Sequence, residues 1–121
     1  MISLDKAREL KEAGLVWEPK EGDWYYSNNT KTTILADFDR AGDIISLAAQ
    51  KSPGWLVWLP SLSQLLAEIE ARGIMYKLGC ARGNYRIDVS DGILFVGGFD
   101  ADTPDNAAAD ALIWILKGAL K

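Results

Sequence analysis

Two clusters of carboxylates are the side chains best suited by type to do chemistry. Asp37, Asp39 and Asp43 fall within seven residues, and Asp100, Asp102 and Asp105 within six. Closely spaced oxygen ligands suit a hard cation such as magnesium or calcium. Neither cluster has the spacing or the terminal Glu of an EF-hand loop. The second stands directly before a helical pattern, where Asp and Thr ordinarily serve as caps. A small magnesium- or calcium-dependent hydrolase built on Asp37, Asp39 and Asp43 is therefore one reading. It would need a cationic or general-acid partner, and the sequence identifies none. The chain has no histidine, which removes Ser-His-Asp and Cys-His catalysis and any His general base. With a single cysteine, Cys80, the usual structural zinc sites and an internal disulfide are also excluded. Arg82 lies close enough in sequence to lower a thiol pKa, but a lone Cys at a strand end is more simply a small packing residue. Gly97-Gly98 stands alone, and nothing matches a phosphate-binding loop or a dinucleotide fingerprint. No cofactor and no enzymatic activity are expected.

The aromatic residues are the stronger functional signal. Five tryptophans supply large amphipathic surfaces that suit a core or an interface. Trp17, Trp24, Tyr26, Trp58 and Trp114 are the candidates for contact with a protein partner. Trp114 falls at the edge of a helical stripe, where a half-exposed ring could also mediate self-association.

The elements that must position these residues can be read from spacing. Residues 3–13 read as a helix capped by Ser3 and ended by Gly14. Leu15-Val16-Trp17 and Trp24-Tyr25-Tyr26 read as the two strands of a hairpin across the polar segment 18–23. Thr32 to Ala36 is a further strand candidate, Ile44 to Ala49 fits strand or helical turn, and Trp55 to Leu59 reads as a strand ended by Pro60. Ser61-Leu62-Ser63-Gln64 is a capping-box pattern opening a helix with Leu62, Leu65, Leu66 and Ile69 on one face. Gly73 closes it. A meander follows: Ile74 to Leu78, a turn at 81–84, Tyr85 to Val89 with clean alternation, a turn at 90–92, then Ile93 to Val96. Thr103 caps the last helix, Pro104 takes N1 and Asp105 faces the positive end of the dipole. Ala108, Ala111, Leu112, Ile115 and Ala119 are its buried stripe.

The fold class expected is α+β: an antiparallel sheet with helices packed on it, the C-terminal half running α-β-β-β-α. The N-terminal hairpin and the Trp55–Leu59 strand should extend or cover that sheet. No linker or repeat interrupts residues 1–121, so a single domain is expected. At this length the chain can bury a core without metal or disulfide, and 49% hydrophobic with 25% charged residues is ordinary globular usage. A net charge of −4 argues against DNA and other phosphate backbones. The N-terminal residues lack a basic region followed by an apolar run, and no stretch approaches the length of a membrane span. The expectation is a cytoplasmic protein with no membrane association.

The order α-β-β-β-α is similar to that of double-stranded RNA-binding domains, which place lysines where their last helix begins. Here that position reads Asp102-Thr103-Pro104-Asp105-Asn106, and two carboxylates repel a phosphate backbone. Residues 99–112, a strand end leading through Thr103-Pro104 into an Ala-rich helix, resemble the C-terminal signature of small phage and prophage proteins of the ABA-sandwich type. Residues 55–66, a strand running directly into a helix, share that character. Together these segments cover about half the chain. The same ending is similar to HicB-type antitoxins, although a counterpart of their first strands and of a DNA-binding extension is missing. The resemblance implies an accessory protein of mobile-element origin and carries over no catalytic residue. The reading favoured is a non-enzymatic protein that binds a protein partner, as a host-factor inhibitor or an antitoxin-like regulator. The metal-dependent hydrolase and a structural homo-oligomer are the alternatives.

Overall fold

The computed structural model describes residues 1–17, 23–27, 31–34, 56–93 and 95–118. Along them run α1 (Leu4–Glu12), β1 (Trp24–Ser27), β2 (Lys31–Ile34), β3 (Leu56–Leu59), α2 (Leu62–Ala71), β4 (Met75–Ala81), β5 (Asn84–Ser90), β6 (Phe95–Ala101) and α3 (Pro104–Leu116). This is an α+β arrangement, and its C-terminal half runs α-β-β-β-α. The candidates at Asp37, Asp39, Asp43, Ile44–Ala49, Trp55 and Ala119 lie outside the described residues.

Each helix starts and stops where local chemistry dictates. The Ser3 hydroxyl accepts from the Lys6 amide at 3.3 Å. Ser61 and Gln64 close a full capping box: the Ser61 hydroxyl accepts from the Gln64 amide at 3.2 Å, and Gln64 Oε1 accepts from the Ser61 amide at 2.8 Å. Thr103 Oγ1 accepts from the Asn106 amide at 3.2 Å, ahead of Pro104 at N1. At the other end, α1 finishes in a Schellman motif. Gly14 adopts φ +106°, its amide donates to Lys11 O, and the Leu15 amide donates to Leu10 O at 3.0 Å. Gly73 and Ile74 repeat the same pair of bonds after α2.

The strands form two antiparallel three-stranded sheets, ordered β2-β1-β3 and β4-β5-β6. Two expectations are corrected here. The first-half strands do not extend the C-terminal sheet; β3 pairs with β1 and builds a sheet of its own. The hairpin partner of Trp24–Tyr26 is Lys31–Ile34, with Trp24 opposite Ile34, and Leu15-Val16-Trp17 is not a strand. The reason lies in the helix end. The Leu15 amide is spent on Leu10 O, so the segment after α1 is committed to helix closure rather than to a sheet ladder. A third correction concerns β6, which begins at Phe95 and runs to Ala101, leaving Ile93 88% exposed beyond its start.

Helix α3 packs between the C-terminal sheet and the other two helices. On one side α3 packs against β5 and β6; on the other it meets α1 and α2, and α1 in turn packs on β3. Coverage from both sides explains why burial on α3 is wider than a single stripe: Ala107, Ala108, Ala109, Ala111, Leu112, Ile113 and Ile115 are all buried. Ile87 and Val89 of β5 point inward and are fully buried, while Arg86 is exposed, as the alternation requires. Val57, Leu59, Leu10, Leu65 and Ile69 complete one continuous core.

Two polar features carry predictions. The β4–β5 turn places both central residues at positive φ, +55° at Arg82 and +76° at Gly83, the twist-matched two-residue hairpin. Arginine has no reason to favour that region, whereas asparagine does. Arg82→Asn is expected to stabilise the protein by about 0.5–1 kcal/mol, read by urea denaturation.

Elsewhere, α1 and α3 are tied by Ser3 N to Asn106 Oδ1 at 3.0 Å and by Lys6 Nζ to Asp110 Oδ1 at 2.5 Å. The hydrogen bond that Lys6 donates to the Asp110 carboxylate raises the Lys6 pKa above its ordinary 10.5. A lysine raised on folding stabilises fully below its unfolded pKa, and that contribution is lost as pH rises through the folded value. Burial shifts Lys11 the opposite way, so the clean observable is a difference between proteins. Asp110→Asn is expected to cost under about 1 kcal/mol near neutrality. The gap from wild type should close above roughly pH 10.5.

Candidate functional site

The aromatic candidates divide into three groups. Trp17 and Trp58 come together. Their rings stack with centroids 6.3 Å apart and planes 9° from parallel. Tyr25, which sequence reasoning did not single out, joins them at 5.8 Å from Trp17. Register explains the grouping. Tyr25 lies opposite Trp58 across β1 and β3, whereas Val57 and Leu59, the buried neighbours of Trp58, point to the other face. Trp17, Tyr25 and Trp58 therefore form a half-buried aromatic patch on the face of the sheet opposite Val57 and Leu59.

Trp24 and Tyr26 sit on the Val57 and Leu59 face, by the same alternation. Trp24 is 38% exposed. Tyr26 packs on the core with the Arg8 guanidinium 5.6 Å above its ring. Trp114 belongs elsewhere: it tilts against Phe99 at 5.5 Å beside the C-terminal sheet. Its ring lies close over Gly97, where a Cβ would stand 3.5 Å from it.

One buried carboxylate organises the first group. Asp23, immediately before β1, is 5% exposed. Its Oδ2 accepts from the Trp17 indole Nε1 at 2.9 Å, and its Oδ1 accepts from Gln64 Nε2 at 2.7 Å. Gln64 thus does two things at once: Oε1 caps α2, and Nε2 holds Asp23. The capping role is visible in the sequence as the Ser-x-x-Gln spacing. The second role joins residues 41 positions apart and leaves no local signal. Asp23, which sequence reasoning placed in a turn and passed over, is the buried carboxylate that joins these side chains.

Next to this group opens a cleft of about 370 Å³. Its floor includes Asp23 and Trp58, and its walls are Gly14 and Val16 on one side and Gln64, Ala67, Glu68 and Arg72 of α2 on the other. The α2 residues share one face because they recur at helical spacing. Arg72 Nη1 is paired with Glu68 Oε2 at 2.7 Å. The size is that of a small-molecule site.

The second acidic cluster resolves into separate tasks. Asp100 accepts from Arg86 Nη1 at 2.9 Å, and Arg86 Nε donates to Asp88 at the same distance. Both carboxylates hold the Arg86 guanidinium firmly protonated. Asp105 opens α3, and Asp102 is exposed. Among the described residues no three His, Cys, Asp or Glu side chains gather closely enough to hold a metal ion. Cys80 is exposed at the end of β4, opposite Tyr85. No helix among the described residues is long and apolar enough to cross a membrane. Set against protein-family models, curated protein sequences and solved structures, the chain matches none.

Proposed function

We propose that this is a non-enzymatic, cytoplasmic accessory protein of phage or prophage origin that acts by binding a protein partner through the face carrying Trp17, Tyr25 and Trp58. The observation that supports this reading is the gathering of three aromatic rings, each half-buried, on one sheet face instead of in the core. Aromatic side chains held rigidly at a surface bring large contact area at low entropic cost, which is why they dominate binding hot spots. Asp23 supplies the rigidity by holding the Trp17 ring in place. A host-factor inhibitor and an antitoxin-like regulator are both versions of this mechanism.

The test is quantitative capture from lysate with matched variants. Wild-type protein and Trp114→Ala should retain a common enriched partner, and Tyr25→Ala should lose it by about tenfold or more, a typical hot-spot effect. Equal retention on all three proteins, with melting temperatures confirming that each is folded, would exclude this face.

A further inference from the structure

Strand β4 forms one edge of the C-terminal sheet, and among the described residues no backbone group bonds to its outer side. It runs from Met75 to Ala81 with no proline and no break in its register with β5. Met75, Lys77, Gly79, Cys80 and Ala81 are exposed. The hairpin fixes which backbone groups face outward. Ala81 and Asn84 flank a two-residue turn and exchange hydrogen bonds, and alternation along the ladder then commits Gly79, Lys77 and Met75 to β5. The amides and carbonyls of Tyr76, Leu78 and Cys80 point away from the sheet. An open edge of this kind is a template for another strand.

Gly79 has no reason within the chain to be glycine. Its φ is not positive, and a Cβ at this position would meet nothing within 4 Å. A strand glycine of this kind marks a place where another backbone or a ligand comes close. Opposite Gly79 stands Arg86, held by Asp88 and Asp100, so one guanidinium and two carboxylates make a group of net negative charge. Lys77, on the same face of β4, is exposed and has no ion pair among the described residues. The edge therefore carries an empty notch beside a negative group and, two residues away, an unpaired cation. Across a two-fold axis at Leu78 these features complement each other. That axis overlaps the whole strand, pairs Tyr76 with Cys80, and sets Lys77 opposite Gly79 of the second copy. An axis at Lys77 would set lysine against lysine, and one at Gly79 would shorten the ladder and leave Lys77 opposite Ala81.

We propose that β4 is a self-association edge, through which two copies of this chain pair antiparallel about Leu78 into one continuous six-stranded sheet. Lys77 of each copy lies over Gly79 of the other and faces its Arg86–Asp88–Asp100 group. On the opposite face Tyr76, Leu78 and Cys80 of both copies line the seam, and Tyr76 and Leu78 already pack on the margin of the core. The contact is isologous, so it closes at two copies. The aromatic face of Trp17, Tyr25 and Trp58 belongs to the other sheet, and pairing through β4 is independent of a partner bound there.

The experiment is light scattering on the purified full chain, alone, from micromolar to millimolar concentration. The mass should rise to that of two chains. Gly79→Lys sets lysine against lysine twice in each dimer, whereas Gly79→Glu sets a carboxylate against Lys77. Neither side chain meets an obstacle at its Cβ within the single chain, and melting temperatures in the dilute, monomeric range verify that both variants fold. Gly79→Lys should dimerise about tenfold or more weakly than Gly79→Glu, and the difference should shrink in high salt. In the wild-type chain, amide hydrogen exchange at Tyr76, Leu78 and Cys80 should slow as the dimer forms. A monomer at every concentration would overturn the pairing. A dimer that both variants form equally well, or in which those three amides still exchange freely, would place the contact elsewhere and overturn it too.

Discussion

Asp23→Ala is expected to unfold more readily than wild type by about 2 kcal/mol, a fall in Tm of roughly 5–10 °C. Among the described residues the substitution strands two donors, Trp17 Nε1 and Gln64 Nε2, that now meet the carboxylate at 2.9 and 2.7 Å. Each buried donor left without an acceptor costs about 1–3 kcal/mol. Both bonds are part-buried, so water recovers some of the loss and the total falls below the simple sum. Asn at the same position keeps one acceptor oxygen for two donors, and Asp23→Asn should therefore lie between Ala and wild type. The second consequence is conformational. Without its anchor the Trp17 ring loses its fixed orientation, so near-ultraviolet circular dichroism from the Trp17–Trp58 stack should weaken at temperatures where the far-ultraviolet signal is unchanged. A silent Asp23→Ala in both measurements would contradict the organising role assigned to this carboxylate.

Leu112→Ala should cost more, about 2–5 kcal/mol, because Leu112 is 0% exposed on the helix that both the C-terminal sheet and the other helices pack against. The surroundings cannot collapse onto the missing atoms from one side without opening on the other. For the same reason α3 tolerates little growth. Ala108 is also 0% exposed, and Ala108→Leu is expected to cost about 1–3 kcal/mol by overpacking. Denaturant titration should show both variants with a lowered midpoint and an unchanged slope, the sign of a stability change without a change in the surface exposed. A tolerated leucine at position 108 would mean that α3 is not enclosed on both sides.

That enclosure is also where the sequence was hardest to read. A stripe of Ala108, Ala111, Leu112 and Ile115 predicts one covered face, and small residues at 107 and 109 give no sign of a second. The capping residues were legible because they act within four positions: Ser3, the Ser61–Gln64 box and Thr103 all do what their spacing predicts. The β4–β5 hairpin was legible because its turn and its alternation agree. Leu15-Val16-Trp17 misleads because an aromatic and branched run has strand propensity, while the decisive fact is a backbone bond back to Leu10. The division into two sheets depends on whether β3 pairs with β1 or with β4, and residue pattern does not choose between partners. At the candidate site, Trp17 and Trp58 were recognisable as residues, but not as neighbours. Asp23 became visible only once the Trp17 and Gln64 side chains were seen to converge on it.

The most direct test of the central claim is the indole spectrum of the ¹⁵N-labelled protein with and without the partner recovered by capture. The account predicts that the Trp17 and Trp58 signals shift or broaden on complex formation while Trp114, beside the other sheet, stays in place. Perturbation of Trp114 with Trp17 and Trp58 unchanged would put the binding surface on the C-terminal sheet and contradict it.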